Sequence, residues 1–179
     1  MMVLYTPEFD ALVERLQKAN ANYQILDFGD ELALAVEDPS GNWLEIISRP
    51  GQYELAGAKM IVDDLAAAET FYRELFGATV KDHFELPGTF NEAIMEVGDG
   101  PILALYESYS DDRLANSQFP VTFFQTIDFD AVVIKVEQAG LEHTLNRMDN
   151  AESGPSAILV VKDPGGNWIE IGRPLENGF

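Results

Sequence analysis

Cysteine is absent from this chain, which excludes disulfide staples, thiolate metal sites and a cysteine nucleophile. Basic residues are scarce. Eleven Lys and Arg stand against 31 Asp and Glu, a formal charge of −20. Such a field repels phosphate backbones and anionic lipid, so nucleic acid and membrane surfaces are excluded as partners and cationic ligands are favoured. No apolar run approaches the ~20 residues that a membrane-spanning helix needs. Met1 to Asp10 lacks the basic start and apolar stretch of a signal peptide. Together with the missing cysteine, these absences lead us to expect a cytoplasmic protein.

What is present suffices for a folded core: 46% of the 179 residues are hydrophobic and 11% aromatic. A nine-residue phrase occurs twice, as Asp38-Pro39-Ser40-Gly41-Asn42-Trp43-Leu44-Glu45-Ile46 and as Asp163-Pro164-Gly165-Gly166-Asn167-Trp168-Ile169-Glu170-Ile171. Upstream of the copies, Phe9-Asp10-Ala11 and Phe129-Asp130-Ala131 open similar apolar patterns. Paired echoes in one order mark a duplicated structural unit.

The first unit reads as β-α-β-β-β. Met2 to Tyr5 predicts a strand, and Thr6-Pro7 predicts an N-cap followed by a first helical residue. Phe9, Leu12, Val13 and Leu16 form one helix face at i, i+3, i+4 and i+7. Strands follow at Tyr23 to Phe28, Glu31 to Val36 and Asn42 to Ser48, with Gly29-Asp30 between the first two. Asp38-Pro39-Ser40-Gly41 fits a type I turn.

The third unit repeats this order. Val121 to Thr126 is its strand, Asp128 its N-cap, and Phe129, Val132, Val133 and Val136 its helix face, closed by Gly140. The helices repeat at an offset of 120 and the phrases at 125, which places five extra residues in the polar stretch Asn146 to Ser156, read as a loop or flap. The middle unit, about Gly57 to Glu107, has a strand at Ala58 to Val62 and a helix capped by Asp64, with Leu65, Ala68, Phe71, Tyr72 and Leu75 on its apolar face. Gly77 closes that helix, and three more strands follow. Polar linkers around Arg49 to Glu54 and Ser108 to Phe119 separate the units.

Asp64-Leu65, Phe71-Tyr72 and Leu75-Phe76-Gly77, taken with Asp163 to Ile171, resemble the helix and hairpin motifs of the vicinal oxygen chelate superfamily. That group includes glyoxalase I, extradiol dioxygenases, and fosfomycin- and bleomycin-resistance proteins. The resemblance implies an α+β fold of three β-α-β-β-β modules, with curved mixed sheets enclosing a cleft and helices outside. It implies that residues 55–175 form a complete two-module domain and that residues 1–49 are an orphan second-half module. A lone module leaves one sheet face exposed, so the expectation is a homodimer that pairs residues 1–49 across chains. The competing arrangement packs the first module against the second within one chain and leaves the third to dimerise.

Strand alternation then assigns the cleft. Isoleucines 169 and 171 suit the helix-covered face, which turns Trp168 and Glu170 inward, and Trp43 and Glu45 follow likewise. With Lys59, Tyr106, Phe123 and Gln125, beside Ile61 and Ile102, they make an aromatic cleft with a few polar groups, as a small-molecule pocket has. Lys59 is free to pair with Glu170, and Trp168 to pack as core or to stack on a ligand.

Metal-using relatives hold a divalent ion with His and Glu on the first and last strands of paired modules. Here those positions fall on Gly57, Val121, near Ala104 and on Glu170, with Met1 and Glu45 in the first module. Only Glu170 and Glu45 can ligate, and one carboxylate cannot hold a divalent ion tightly. His83 and His143 fall on second strands and read as structural. Two functions stay open. One is metal-free binding of a small, cationic ligand, with no cofactor and no assigned catalytic residue. The other is a divalent-metal-dependent lyase or dioxygenase whose site a partner chain completes.

Overall fold

The computed structural model describes residues 1–29, 31–110, 122–150 and 154–173, with side chains described for all of these except 148–150 and 154–155. Element order repeats three times. The first module is β1 (Met2–Thr6), α1 (Phe9–Lys18), β2 (Tyr23–Asp27), β3 (Leu32–Glu37) and β4 (Trp43–Ser48). The second is β5 (Glu54–Val62), α2 (Leu65–Phe76), β6 (Thr79–Leu86), β7 (Phe90–Glu96) and β8 (Ile102–Ser108). The third is β9 (Thr122–Gln125), α3 (Phe129–Gln138), β10 (His143–Asn150), β11 (Gly154–Lys162) and β12 (Trp168–Gly172). The chain is thus α+β, built from three β-α-β-β-β modules. It divides into an N-terminal unit, Met1–Lys59 with Pro101–Leu103, and a larger unit, Met60–Gly100 with Ala104–Phe179.

In the N-terminal unit the strand order is β2-β3-β4-β1-β5. Strand β1 runs parallel to β4 and antiparallel to the first half of β5, with Val3 opposite Glu45 on one side and Gly57 on the other. One face of this sheet meets α1: Phe9, Leu34, Val36 and Ile46 form the buried cluster, and Leu12, Val13, Leu16 and Leu44 close over it. Helix α1 begins at Phe9 rather than at Pro7, and Glu8 occupies the N-cap position without a side-chain cap. The Thr6 hydroxyl accepts from the Glu8 amide instead, 3.1 Å away, a local turn that competes with the helix start. Gly57 permits the approach of β8, because a Cβ there would lie 1.9 Å from the Ile102 carbonyl oxygen.

In the larger unit, α2 is capped by Asp64, whose carboxylate accepts from the Ala67 amide at 2.9 Å, and ends at Gly77 with φ +70°. The third module forms a sheet of order β10-β11-β12-β9, with Leu159, Val161, Ile169 and Ile171 buried on the face that its helix residues Phe129, Val132, Val133 and Val136 also fill. Asp128 stands at the N-cap of α3 but makes no side-chain cap. The Asn146 to Ser156 stretch is mostly hairpin rather than loop. Strands β10 and β11 continue pairing to Asn150 opposite Gly154, and residues 151–153 lie outside the described residues. Cross-strand pairing overrode a polar composition there. The linker expected at 108–119 also lies largely outside them, as does Asp30 of the expected Gly29-Asp30 turn.

The repeated phrase sits in two environments. In the first module Asp38 accepts from the Asn42 amide and side chain, both at 2.9 Å, at an exposed turn. In the third, Asp163 is 4% exposed and accepts the Tyr72 hydroxyl of α2 at 3.0 Å and the Asn167 amide at 2.7 Å. Asn167 in turn donates to the Ile61 carbonyl at 2.7 Å. Burial raises the Asp163 pKa, opposed by the bonds from Asn167 and Tyr72, and desolvation with the neighbouring carboxylate pushes Tyr72 well above the ordinary phenol range. Gly165 replaces Ser40 of the first copy where a Cβ would stand 3.1 Å from the Val62 Cα. The one changed turn residue therefore records which copy is packed.

Asp163→Ala strands two buried donors, and denaturant unfolding should register a loss of about 2–4 kcal/mol. Asp38→Ala, with solvated partners, should lose less. Equal losses for the two would contradict a packed third-module turn.

Candidate functional site

On the N-terminal unit's sheet, Leu44 and Ile46 pack toward α1, so pleating sends Trp43 and Glu45 to the opposite face. Glu45 is only 5% exposed and Lys59 only 8%. The Lys59 Nζ stands 2.5 Å from Glu45 Oε2. Among the described residues no donor reaches that oxygen at a hydrogen-bonding angle, so the contact is one of charge with charge. Strand β1 lies between the two strands that carry the pair and places Val3 beside Glu45. The Met1 amino group donates to the Lys59 carbonyl at 3.0 Å. Desolvation lowers that amine's pKa, the Lys59 charge adds to the fall, and Glu45 opposes it.

The same face carries aromatic groups. Trp43 is half-buried. Tyr5, in register with Ile47 two residues beyond Glu45, lies under the Arg49 guanidinium at 3.8 Å from the ring centre. This face therefore carries a paired carboxylate and ammonium together with Trp43 and with Tyr5, whose ring already holds a cation.

The remaining expected residues lie in the larger unit. Tyr106 of β8 stacks on Phe90 of β7, centroids 5.1 Å apart. Phe123 and Gln125 of β9 are exposed, and Trp168 and Glu170 of β12 are half-buried. Glu170 stands in register with Phe123. Lys162 Nζ lies 5.1 Å from the Trp168 ring centre and pairs with Glu142 at 3.2 Å. Ile61 serves the fold, since its carbonyl receives Asn167. Thus Trp43, Glu45 and Lys59 share one sheet face, and Phe123, Gln125, Trp168 and Glu170 share another. In the N-terminal unit the carboxylate that meets Lys59 is Glu45, where the sequence reading offered Glu170.

The need for a partner had a legible signal, though its identity did not. A lone lysine in the run Ala-Gly-Ala-Lys-Met-Ile-Val needs a counter-charge when buried, and Glu45 is the one charge in Trp-Leu-Glu-Ile-Ile. Tyr5 and Arg49 carried no such signal. The histidines belong to the larger unit and are engaged there: His83 Nε2 meets Glu69 at 2.7 Å and His143 Nδ1 meets the Leu141 carbonyl at 2.8 Å. Among the described residues no group of three His, Cys, Asp or Glu side chains is placed to hold a metal ion, so this donor set does not fit a divalent centre.

The model of the Glyoxalase/Bleomycin resistance protein/Dioxygenase superfamily matches residues 54–171. No curated protein matches the chain. Among solved structures, glyoxalase I from Zea mays superposes with a TM-score of 0.73 at 15% identity, covering 96% of this chain and 66% of that one. A putative dioxygenase from Bacillus subtilis gives 0.65 at 15% identity, covering 96% and 60%. A glyoxylase/bleomycin resistance protein/dioxygenase domain from Frankia sp. EAN1pec gives 0.54 at 16%, covering 67% and 96%. The chain therefore spans about two thirds of the length of the maize enzyme, and at these identities the likeness is one of fold.

Removing one member of the buried pair leaves the other charge uncompensated. Lys59→Met and Glu45→Gln should each lose about 3–5 kcal/mol in chemical denaturation, while the double variant Glu45→Leu/Lys59→Met should recover most of it. A double variant as unstable as either single one would show that the two groups are not coupled.

Proposed function

Because this chain belongs to the glyoxalase/bleomycin resistance protein/dioxygenase superfamily, we propose that it binds a small organic cation on the sheet face that carries Trp43, Glu45 and Lys59, without metal chemistry. The observation that carries this reading is the Lys59 ammonium against Glu45. Metal-using relatives place a ligand at the Glu45 position, and here a cation of the chain itself already neutralises that carboxylate. A divalent ion needs several oxygen or nitrogen ligands, and the described residues bring no such group together.

The choice of a cationic guest has two supports. The formal charge of −20 raises the local concentration of cations. An aromatic ring on this face, Tyr5, already carries the Arg49 guanidinium, so the surface suits a quaternary or guanidinium-like group. Trp43 and Tyr5 would then meet the ligand, over the buried Glu45–Lys59 pair that holds this face of the sheet together.

A second reading has its own observation. Glu170 is half-buried on β12, and its carboxylate has no partner among the described residues. A lyase or dioxygenase site completed by another chain would draw on that group, with a divalent ion supplying charge stabilisation when bound.

Metal analysis after exhaustive dialysis separates the two. The first reading expects Ni, Zn, Fe and Mn all far below one equivalent per chain, and a thermal shift with small quaternary ammonium compounds that is lost in the Glu45→Leu/Lys59→Met variant. One equivalent of a divalent metal surviving dialysis would overturn it in favour of the second.

A further inference from the structure

Each copy of the repeated phrase delivers one of the two tryptophans of the chain, and each tryptophan has a cross-strand neighbour on the same face of its sheet. In the first module that neighbour is Glu37 of β3, in register with Trp43. In the third it is Lys162 of β11, in register with Trp168. The backbone around the two positions is alike. The Glu37 amide donates to the Asn22 carbonyl at 3.0 Å, and the Lys162 amide to the Glu142 carbonyl at 2.9 Å. The side chains invert the pairing. Lys162 donates its ammonium to the Glu142 carboxylate at 3.2 Å, whereas the Glu37 carboxylate accepts the Asn22 side-chain amide at 2.6 Å.

The third module shows where a cation rests on this framework. The Lys162 Nζ lies 5.1 Å from the Trp168 ring centre, within the reach of a cation–π contact, while Glu142 takes one of its protons in a hydrogen bond. That group is neutral, with one ammonium and one carboxylate. The first module keeps the ring and the carboxylate but omits the cation. Among the described residues no ammonium or guanidinium lies over Trp43, and none pairs with Glu37. Glu37 Oε2 takes only a neutral amide, and its Oε1 lies at the turn that leads into Trp43, 3.8 Å from where a Cβ on Gly41 would stand. Glu45, two residues beyond Trp43, is already matched by Lys59. Glu37 therefore holds the unmatched negative charge in register with this ring.

We propose that Trp43 and Glu37 bind the end of an alkylammonium ligand, in the place that the chain's own Lys162 fills on Trp168. The proposal rests on the cation-binding reading of this sheet face and narrows it: the guest is an ammonium that carries N–H donors on an aliphatic stem. The indole face takes the charge and the stem lies along it. Glu37 Oε1 accepts an N–H in a charge-assisted hydrogen bond, which a quaternary ammonium has no proton to make. The two copies of the unit thus divide their roles. The position in the third module is filled from within and serves the fold, while that in the first is open to a ligand. A bound ammonium gives the first module the neutral balance that the third already has.

Tryptophan emission tests this, because each position holds one of the two tryptophans. In Trp168→Phe, where Trp43 is the sole reporter, n-butylammonium chloride should change the emission saturably against a sodium chloride blank of equal ionic strength. It should bind about tenfold more tightly than tetramethylammonium. Adding Glu37→Gln should weaken the response about tenfold, and adding Glu37→Lys should abolish it by supplying an internal ammonium. In Trp43→Phe, the Trp168 emission should ignore n-butylammonium until Lys162→Ala vacates the ring, and should then respond saturably. Circular dichroism checks that each variant is folded. Equal binding of the two ions at Trp43, a response indifferent to both Glu37 substitutions, or a Trp168 that stays silent after Lys162→Ala overturns this inference and leaves the cation-binding reading standing. A Trp43 emission that answers to neither ion overturns both.

Discussion

A lysine ammonium and a glutamate carboxylate, both nearly excluded from solvent, face each other across the first strand of the chain. Neither charge could be sheltered alone: the desolvation of one ion is several kcal/mol, and only a close opposite charge offsets it. The local architecture follows from this constraint. Strand β1 must lie between β4 and β5 to bring the two side chains onto one face, and Gly57 must lack a side chain so that β8 can close on β5. The apolar residues of β3 and β4 are then left to face α1.

The repeated phrase shows how one set of local rules serves two surroundings. Asp38 and Asp163 make the same bonds to the asparagine four residues on. Solvent surrounds one, while the other receives a tyrosine hydroxyl from α2. The two carboxyls shift in opposite directions: bonds from Asn42 dominate at Asp38 and lower its pKa, whereas desolvation dominates at Asp163 and raises it. Phe124 of β9, stacked on Phe76 of α2 at 4.4 Å, shows where the second and third modules meet. Their contact runs through the helix-facing side of the third sheet, which leaves the face of Phe123, Gln125, Trp168 and Glu170 turned away from α2.

Much of the fold could be read from residue patterns because the signals were local. The i, i+3, i+4, i+7 spacing of Phe9, Leu12, Val13 and Leu16, the left-handed glycines at positions 77, 140 and 166, and the duplicated turn each act within a few residues. The valine-rich helix α3 was legible only through its spacing, since propensity favoured a strand. Long-range choices were not legible. Nothing near Lys59 says whether its partner is Glu45 or Glu170, because both stand at equivalent positions of equivalent strands. The start of α1 shifted by two residues because Thr6 spends its hydroxyl on a turn. The extra residues between β10 and β11 went into strand pairing, since hydrogen bonds across a hairpin depend little on the polarity of its outer side chains.

If the Glu45–Lys59 pair governs the inner face of the first sheet, the Lys59 amine must be shielded from solution reagents. Reductive methylation followed by peptide mass spectrometry tests this directly in the folded protein. Lys18 and Lys81, with largely exposed side chains, should be labelled quickly, and Lys59 should stay unmodified until the protein unfolds. Labelling of Lys59 at the rate of the exposed lysines would contradict the account.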